Sequence, residues 1–62
     1  MNTYWFEVID ENHKNCGEQF FVEADDLTEA WVTAIVVWNT SELHCYGKVT
    51  PLFAELMGYD TY

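Results

Sequence analysis

The sequence predicts a small α+β domain with the element order β-β-α-β-α, in which a three-stranded, mostly antiparallel sheet is covered by one long helix. Three observations predict this class. The chain has 62 residues, which is the length of one domain. Two segments rich in aromatic and β-branched residues flank a turn near the N-terminus. An apolar stripe at helical spacing follows, so residues 1–62 are expected to form a single domain.

The first two strands are predicted at Thr3–Asp10 and Glu18–Ala24, which are rich in aromatic and β-branched residues. The first strand has bulky side chains on both faces, which favours a central place in the sheet. The segment Glu11–Gly17 contains several turn-forming residues, and Gly17 can adopt a positive φ where the chain re-enters a strand. The two strands are therefore expected to form an antiparallel hairpin.

The long helix is predicted from about Leu27 to Trp38. Asp26 and Glu29 have the spacing of a capping box, in which the Asp26 carboxylate accepts hydrogen bonds from N–H groups of the first turn. Acidic residues also suit the positive end of the helix dipole. Three valines lie off the apolar stripe and extend the apolar surface beyond what one sheet face needs. The stripe consists of Leu27, Ala30, Trp31, Ala34, Ile35 and Trp38, and the valines are Val32, Val36 and Val37.

A third strand is predicted at Glu42–Val49, followed by a short helix. Thr50 is a good N-cap, Pro51 is favoured at the first helical position, and Gly58 is suited to ending the helix. A right-handed crossover through the long helix places the third strand parallel to the second and beside the first, which gives the order 2-1-3. One face of the third strand is expected to carry Leu43, Cys45, Gly47 and Val49.

The charge balance is the strongest indication of function. Eleven acidic residues and only two lysines, with no arginine, give a net charge of −9 at pH 7. Because 50% of the residues are hydrophobic, the chain can fold and keep this charge outside. Such a surface repels nucleic acid, so direct nucleic-acid binding is not expected. Most acids lie within residues 7–29, in two predicted clusters about one strand length apart: Asp10, Glu11 and Glu18, and Glu23, Asp25 and Asp26.

The acidic surface has two interpretations. It can be a solvated exterior that keeps a small, aromatic-rich protein in solution. It can also imitate the phosphates of a nucleic acid and occupy the basic groove of a protein that binds one. The sequence alone leaves both open.

No catalytic motif is present, so the protein is not expected to be an enzyme. The chain is too short for a substrate cleft between paired carboxylates, and it has no calcium-binding loop. A zinc site is not expected either, because neighbouring residues on a strand point to opposite faces. Neither a metal nor a cofactor is predicted. The zinc-type ligands considered are His13, Cys16, His44 and Cys45, and the two cysteines are expected to be free thiols.

Aromatic residues on the sheet face away from the long helix predict an interface. Trp5 and Phe21 are expected there as exposed anchors, and the tail residues Tyr59 and Tyr62 can fold back over the same face. Binding of a partner and formation of a homodimer are both compatible with such a face. No apolar run approaches the ~20 residues of a membrane span. The N-terminal segment lacks the pattern of a signal peptide, so a cytoplasmic location is expected.

Small size, strong acidity and the absence of arginine resemble a class of proteins. The segments YWFEVID, Asp25–Glu29 and AELMGYDTY are similar to those of small phage-encoded proteins. The chain thereby resembles phage-encoded inhibitors of bacterial enzymes, including anti-CRISPR proteins and DNA mimics. The resemblance implies a stoichiometric inhibitor that needs no cofactor and acts in the cytoplasm of a bacterial host.

The function expected from these observations is that of an acidic inhibitor. It would block the basic nucleic-acid-binding surface of a bacterial defence nuclease, such as a CRISPR effector, or of a related host protein. The alternative is a non-catalytic structural or assembly module that forms a homodimer through the aromatic sheet face. The residues expected to supply charge are Asp10, Glu11, Glu18, Glu23, Asp25, Asp26 and Glu29, and those expected to supply apolar contacts are Trp5, Phe21 and Val36.

Overall fold

The computed structural model describes all residues from Met1 to Tyr62 and has the predicted α+β fold. Three strands form one sheet in which the first strand lies between the second and the third and is antiparallel to both. The element order and the strand order are therefore confirmed. The elements are β1 (Asn2–Val8), β2 (Gln19–Ala24), α1 (Leu27–Trp38), β3 (Leu43–Val49) and α2 (Pro51–Met57).

The strand β1 ends two residues earlier than predicted. The Asp10 carboxylate accepts a hydrogen bond from the Asn12 backbone N–H at 3.0 Å, which starts the turn. The N–H of Ile9 donates to the carbonyl of Glu42 rather than to β2. The chain therefore leaves the hairpin at Val8.

Both helices begin and end where the sequence places them. The Asp26 carboxylate accepts from the Glu29 N–H at 2.8 Å, and the Thr50 hydroxyl accepts from the N–H of Phe53 at 3.1 Å. Asn39 caps the C-terminus of α1 in a left-handed conformation, and Gly58 caps that of α2 with a φ of 73°. Local capping chemistry thus determines these boundaries.

The helix α1 covers one face of the sheet, which we call the front face. It lies over β2 and β1, and its buried residues are Ala30 and Ala34. Trp31 and Trp38 pack against this core, as predicted, with Trp31 edge-on to Phe6 at a centroid distance of 5.1 Å. The buried core consists of Tyr4, Phe6, Val8, Phe20, Val22, Ala24, Ala30, Ala34 and Leu43.

The opposite face, which we call the back face, is not an exposed aromatic patch. The helix α2 lies over it, and the ring of Phe53 packs against Trp5 at a centroid distance of 5.2 Å and against Phe21 at 6.3 Å. Tyr59 stacks on Phe21 at 5.7 Å, which confirms its predicted return to this face. The expectation of an open aromatic face was wrong because the second helix folds back across the sheet.

The C-terminal tail also lengthens the sheet. Phe21 donates its N–H to the carbonyl of Asp60 at 2.8 Å, and Tyr62 donates to the carbonyl of Phe21 at 2.9 Å, so the tail pairs with β2 in a parallel sense. Tyr62 does not cover the back face as expected. Its ring packs on Phe20 and Trp38 at the front, because the tail runs along the edge of the sheet.

A β-bulge in β3 moves the residues after it to the opposite face of the sheet from the one predicted. Between Phe6 and Trp5 the strand β1 advances one residue while β3 advances two, so Tyr46 has no partner in β1. Gly47 beside it has a φ of 113°, a region that favours glycine. Beyond the bulge, Val49 pairs on the back face of β1. The prediction that Val49 shares a face with the earlier apolar residues of β3 is therefore wrong.

Replacing Phe53 by alanine is expected to lower the free energy of unfolding by about 2 kcal/mol, because its half-buried ring joins α2 to the back face. Urea unfolding followed by tryptophan fluorescence measures this change. Leu56→Ala in the same helix is the control. Leu56 is 77% exposed, so its truncation should change stability by less than about 0.5 kcal/mol. Equal effects of the two variants would contradict the packing of α2 on the sheet.

Candidate functional site

The acidic residues gather at the two ends of the sheet. The end formed by the β1–β2 loop, which we call the turn end, holds Asp10, Glu11 and Glu18. Glu42 lies there too, because its carbonyl accepts from the Ile9 N–H at 3.1 Å. Sequence reasoning missed Glu42, since its proximity depends on the crossover and not on local spacing.

Asp10 contributes negative charge to the turn end and also stabilises its structure through hydrogen bonds. Its second carboxylate oxygen accepts from the Thr40 hydroxyl at 2.9 Å, which joins the β1–β2 loop to the α1–β3 loop. The hydrogen bond from Thr40, and next that from the Asn12 N–H, hold the pKa of Asp10 below its ordinary value of 3.8. Asp10 therefore stays ionised at neutral pH, but its oxygens are already engaged.

His13 fastens the β1–β2 loop to the end of α1. Its Nδ1 accepts from the Asn15 N–H at 2.9 Å, so Nε2 carries the proton and donates to the carbonyl of Trp38 at 2.7 Å. Both ring nitrogens are thus used within the fold. No group of three histidine, cysteine, aspartate or glutamate side chains is arranged to hold a metal ion. Cys16 and Cys45 are free thiols, and burial raises the pKa of Cys45.

The opposite end of the sheet carries a second group of acidic side chains at the start of α1, and an exposed apolar strip extends from it along the helix. Asp25, Asp26 and Glu29 are exposed around the start of α1. Glu29, Val32 and Val36 follow one another at helical spacing along the outer side of α1. Val32 is 57% exposed and Val36 is 73% exposed. We call the strip at the start and along the outer side of α1, formed by Asp25, Asp26, Glu29, Val32 and Val36, the helix surface.

The three predicted apolar anchors differ in exposure: one is buried, one is half-buried and one is exposed. Phe21 is 0% exposed and lies beneath α2 and the tail, so no partner can reach it in this fold. Trp5 is half-buried between Tyr46 and Phe53, and its Nε1 donates to Gln19 at 3.1 Å. Val36, at 73% exposure, is the most exposed of the three residues.

The remaining polar cluster lies at the edge of the back face on β1 and β3. The hydroxyl of Tyr46 donates to the carboxylate of Glu7, and this bond raises the pKa of Tyr46 above its ordinary value of 10.0. Tyr46 stacks on Trp5 at 4.2 Å and meets His44 edge-on at 4.5 Å.

Glu23, another of the predicted acidic residues, is exposed on the back face of β2 and has no side-chain hydrogen bond.

Comparison with known proteins gives no relative from which a function can be transferred. No family model, no curated protein and no solved structure matches the chain. None of the helices has the length and apolar content that crossing a membrane would require.

Replacing Asp10 by asparagine is expected to make the loss of stability at acid pH less steep. The folded-state pKa of Asp10 is lowered, so its contribution is present above 3.8 and is lost as the pH falls through the folded value. The urea midpoint of Asp10→Asn should therefore fall less steeply below about pH 4 than that of the unmodified protein. Glu18→Gln, which removes a turn-end carboxylate that makes no side-chain hydrogen bond, is the matched control measured over the same pH range. An unchanged slope in Asp10→Asn would contradict the assignment.

Proposed function

We propose that the protein is a non-catalytic inhibitor that binds the basic nucleic-acid-binding surface of another protein by imitating phosphate charge. One observation supports this most: a net charge of −9 on a fold in which no carboxylate belongs to the buried core. Anionic side chains at both ends of the sheet match a groove that carries several lysines or arginines. The resemblance to phage-encoded inhibitors favours a bacterial defence nuclease, such as a CRISPR effector, as the partner and the bacterial cytoplasm as the location.

The helix surface is the best candidate for the contact. Its acidic end can accelerate association with a basic partner, and its valines can lengthen the lifetime of the complex once water is excluded. The turn end offers a second group of charges, although Asp10 there is held by Thr40. Glu11 and Glu18 at that end are exposed and make no side-chain hydrogen bond.

The proposal is tested by capture from bacterial lysate on the immobilised protein, with elution by a salt gradient. A nucleic-acid-binding protein should be retained at low salt, leave as salt rises, and be displaced by added duplex DNA. Retention that is insensitive to both salt and DNA would contradict charge mimicry.

Two charge-reversal pairs then locate the contact on the captured partner. Asp25→Lys with Glu29→Lys alters the helix surface, and Glu11→Lys with Glu18→Lys alters the turn end. Both pairs change the net charge equally, and both leave the Asp26 cap and the Asp10 turn intact. We expect association to slow at least about tenfold for the helix-surface pair and less for the turn-end pair. Equal losses would show that only overall charge matters.

The valines of the helix surface are tested separately. Val36→Ala should speed dissociation of the complex about fivefold and leave association nearly unchanged, because it removes apolar contact without changing charge. Surface plasmon resonance separates the two rates. An unchanged dissociation rate would exclude Val36 from the contact.

A second candidate is a structural module that associates with itself. The back face is covered by α2, so the exposed valines of the helix surface are what favour this alternative. Sedimentation at low and high salt separates the two. A homodimer held by apolar contacts should strengthen in salt, because salt screens the repulsion between two chains of charge −9. A monomer under both conditions would exclude it.

A further inference from the structure

A cavity of about 300 Å³ lies on the back face, between α2, the C-terminal tail and the first residues of β1. Its position is distinct from both the helix surface and the turn end. Several polar side chains line it, contributed by four separate segments of the chain: Thr3, Glu23, Glu55, Tyr59 and Thr61. Its volume lies at the lower end of the range for pockets that bind small molecules.

Thr3 distinguishes this cavity from an ordinary acidic surface. It is only 9% exposed, whereas the other buried residues are hydrophobic, and it lines the cavity. Its hydroxyl has no hydrogen-bond partner in the protein. The hydroxyl oxygen is not fully enclosed, so it keeps a free acceptor position for a group that donates a hydrogen bond from the cavity.

Two carboxylates border the same space. Glu23 pairs with Thr3 across the strands β1 and β2, and Glu55 faces the cavity from α2. Neither carboxylate has a hydrogen-bond partner within the chain. Neither lysine lines the cavity, so its negative charge is not neutralised locally.

We propose that this cavity binds a guanidinium group, supplied by an arginine side chain of the basic partner. A planar guanidinium has five N–H donors, which can serve two carboxylates and a hydroxyl at once. Tyr59 also lines the cavity, and its aromatic ring is of the kind that attracts a cation. An ammonium has only three donors and is more strongly hydrated, so lysine fits less well.

That an arginine of a partner protein supplies the guanidinium rests on the proposed function. The ability of the cavity to bind a guanidinium does not. The test therefore uses a small probe, Nα-acetyl-arginine N-methylamide, titrated at low salt and followed by amide NMR. We expect saturable shifts at Gly58, Tyr59 and Thr61. The citrulline counterpart has nearly the same shape without the charge, and it should give no saturable shift. Equal binding of the citrulline or lysine counterpart would overturn the guanidinium assignment.

Matched variants distinguish binding in the cavity from non-specific attraction to the acidic surface. Glu55→Gln should weaken binding of the arginine probe about fivefold, and Thr3→Val about threefold. Glu18→Gln removes the same charge at the turn end and should change binding by less than about twofold. Equal losses in Glu18→Gln and Glu55→Gln would overturn the site.

The two proposals can fail independently. Binding of the arginine probe without capture of a basic protein would refute the inhibitor function and leave the cavity site standing. Capture of a DNA-displaceable partner without probe binding would refute the cavity site alone.

Discussion

A chain of 62 residues must bury both faces of its sheet, and the rest of the structure depends on this constraint. The central strand β1 carries Phe6 on the front face and Trp5 on the back face, so neither side can be left to solvent. The helix α1 covers the front, while the short helix α2 and the tail cover the back. A domain of this size buries only about 60% of its unfolded surface, which leaves little reserve of stability. Aromatic rings supply much of the burial on both sides.

Because the two faces are occupied by apolar packing, most of the charge is displaced to the loops and the ends of the elements. The turn end is held by two links between distant loops, Asp10 to Thr40 and His13 to the carbonyl of Trp38. The carboxylates at this end are therefore carried on a braced loop, which lowers the loss of entropy when a partner binds. At the opposite end, the acids surround the start of α1, and the exposed valines follow along the outer side of the helix toward the turn end.

Local signals in the sequence determine most of the fold. Caps at Asp26, Thr50 and Gly58 place the helix ends, and the turn residues place the hairpin. The bulge at Gly47 could not be predicted, since alternation alone does not show where a strand gains a residue. The burial of Phe21 could not be predicted for another reason: it depends on Phe53 and Tyr59, which lie more than 30 positions further along the chain. The acidic residues in the loops could be placed from the predicted hairpin. The cavity could not be predicted, because four separate segments form it and no local sequence pattern marks it.

The pairing of the tail with β2 has a consequence for solubility. An unpaired edge strand offers free N–H and C=O groups to other chains and is a route to aggregation. Here residues 60–62 occupy part of the β2 edge through three backbone hydrogen bonds. On the other edge, the bulge at Gly47 interrupts β3 and Lys48 adds a charge, both of which discourage pairing with a second sheet. The fold thus protects both margins of a very small sheet against edge-to-edge polymerisation.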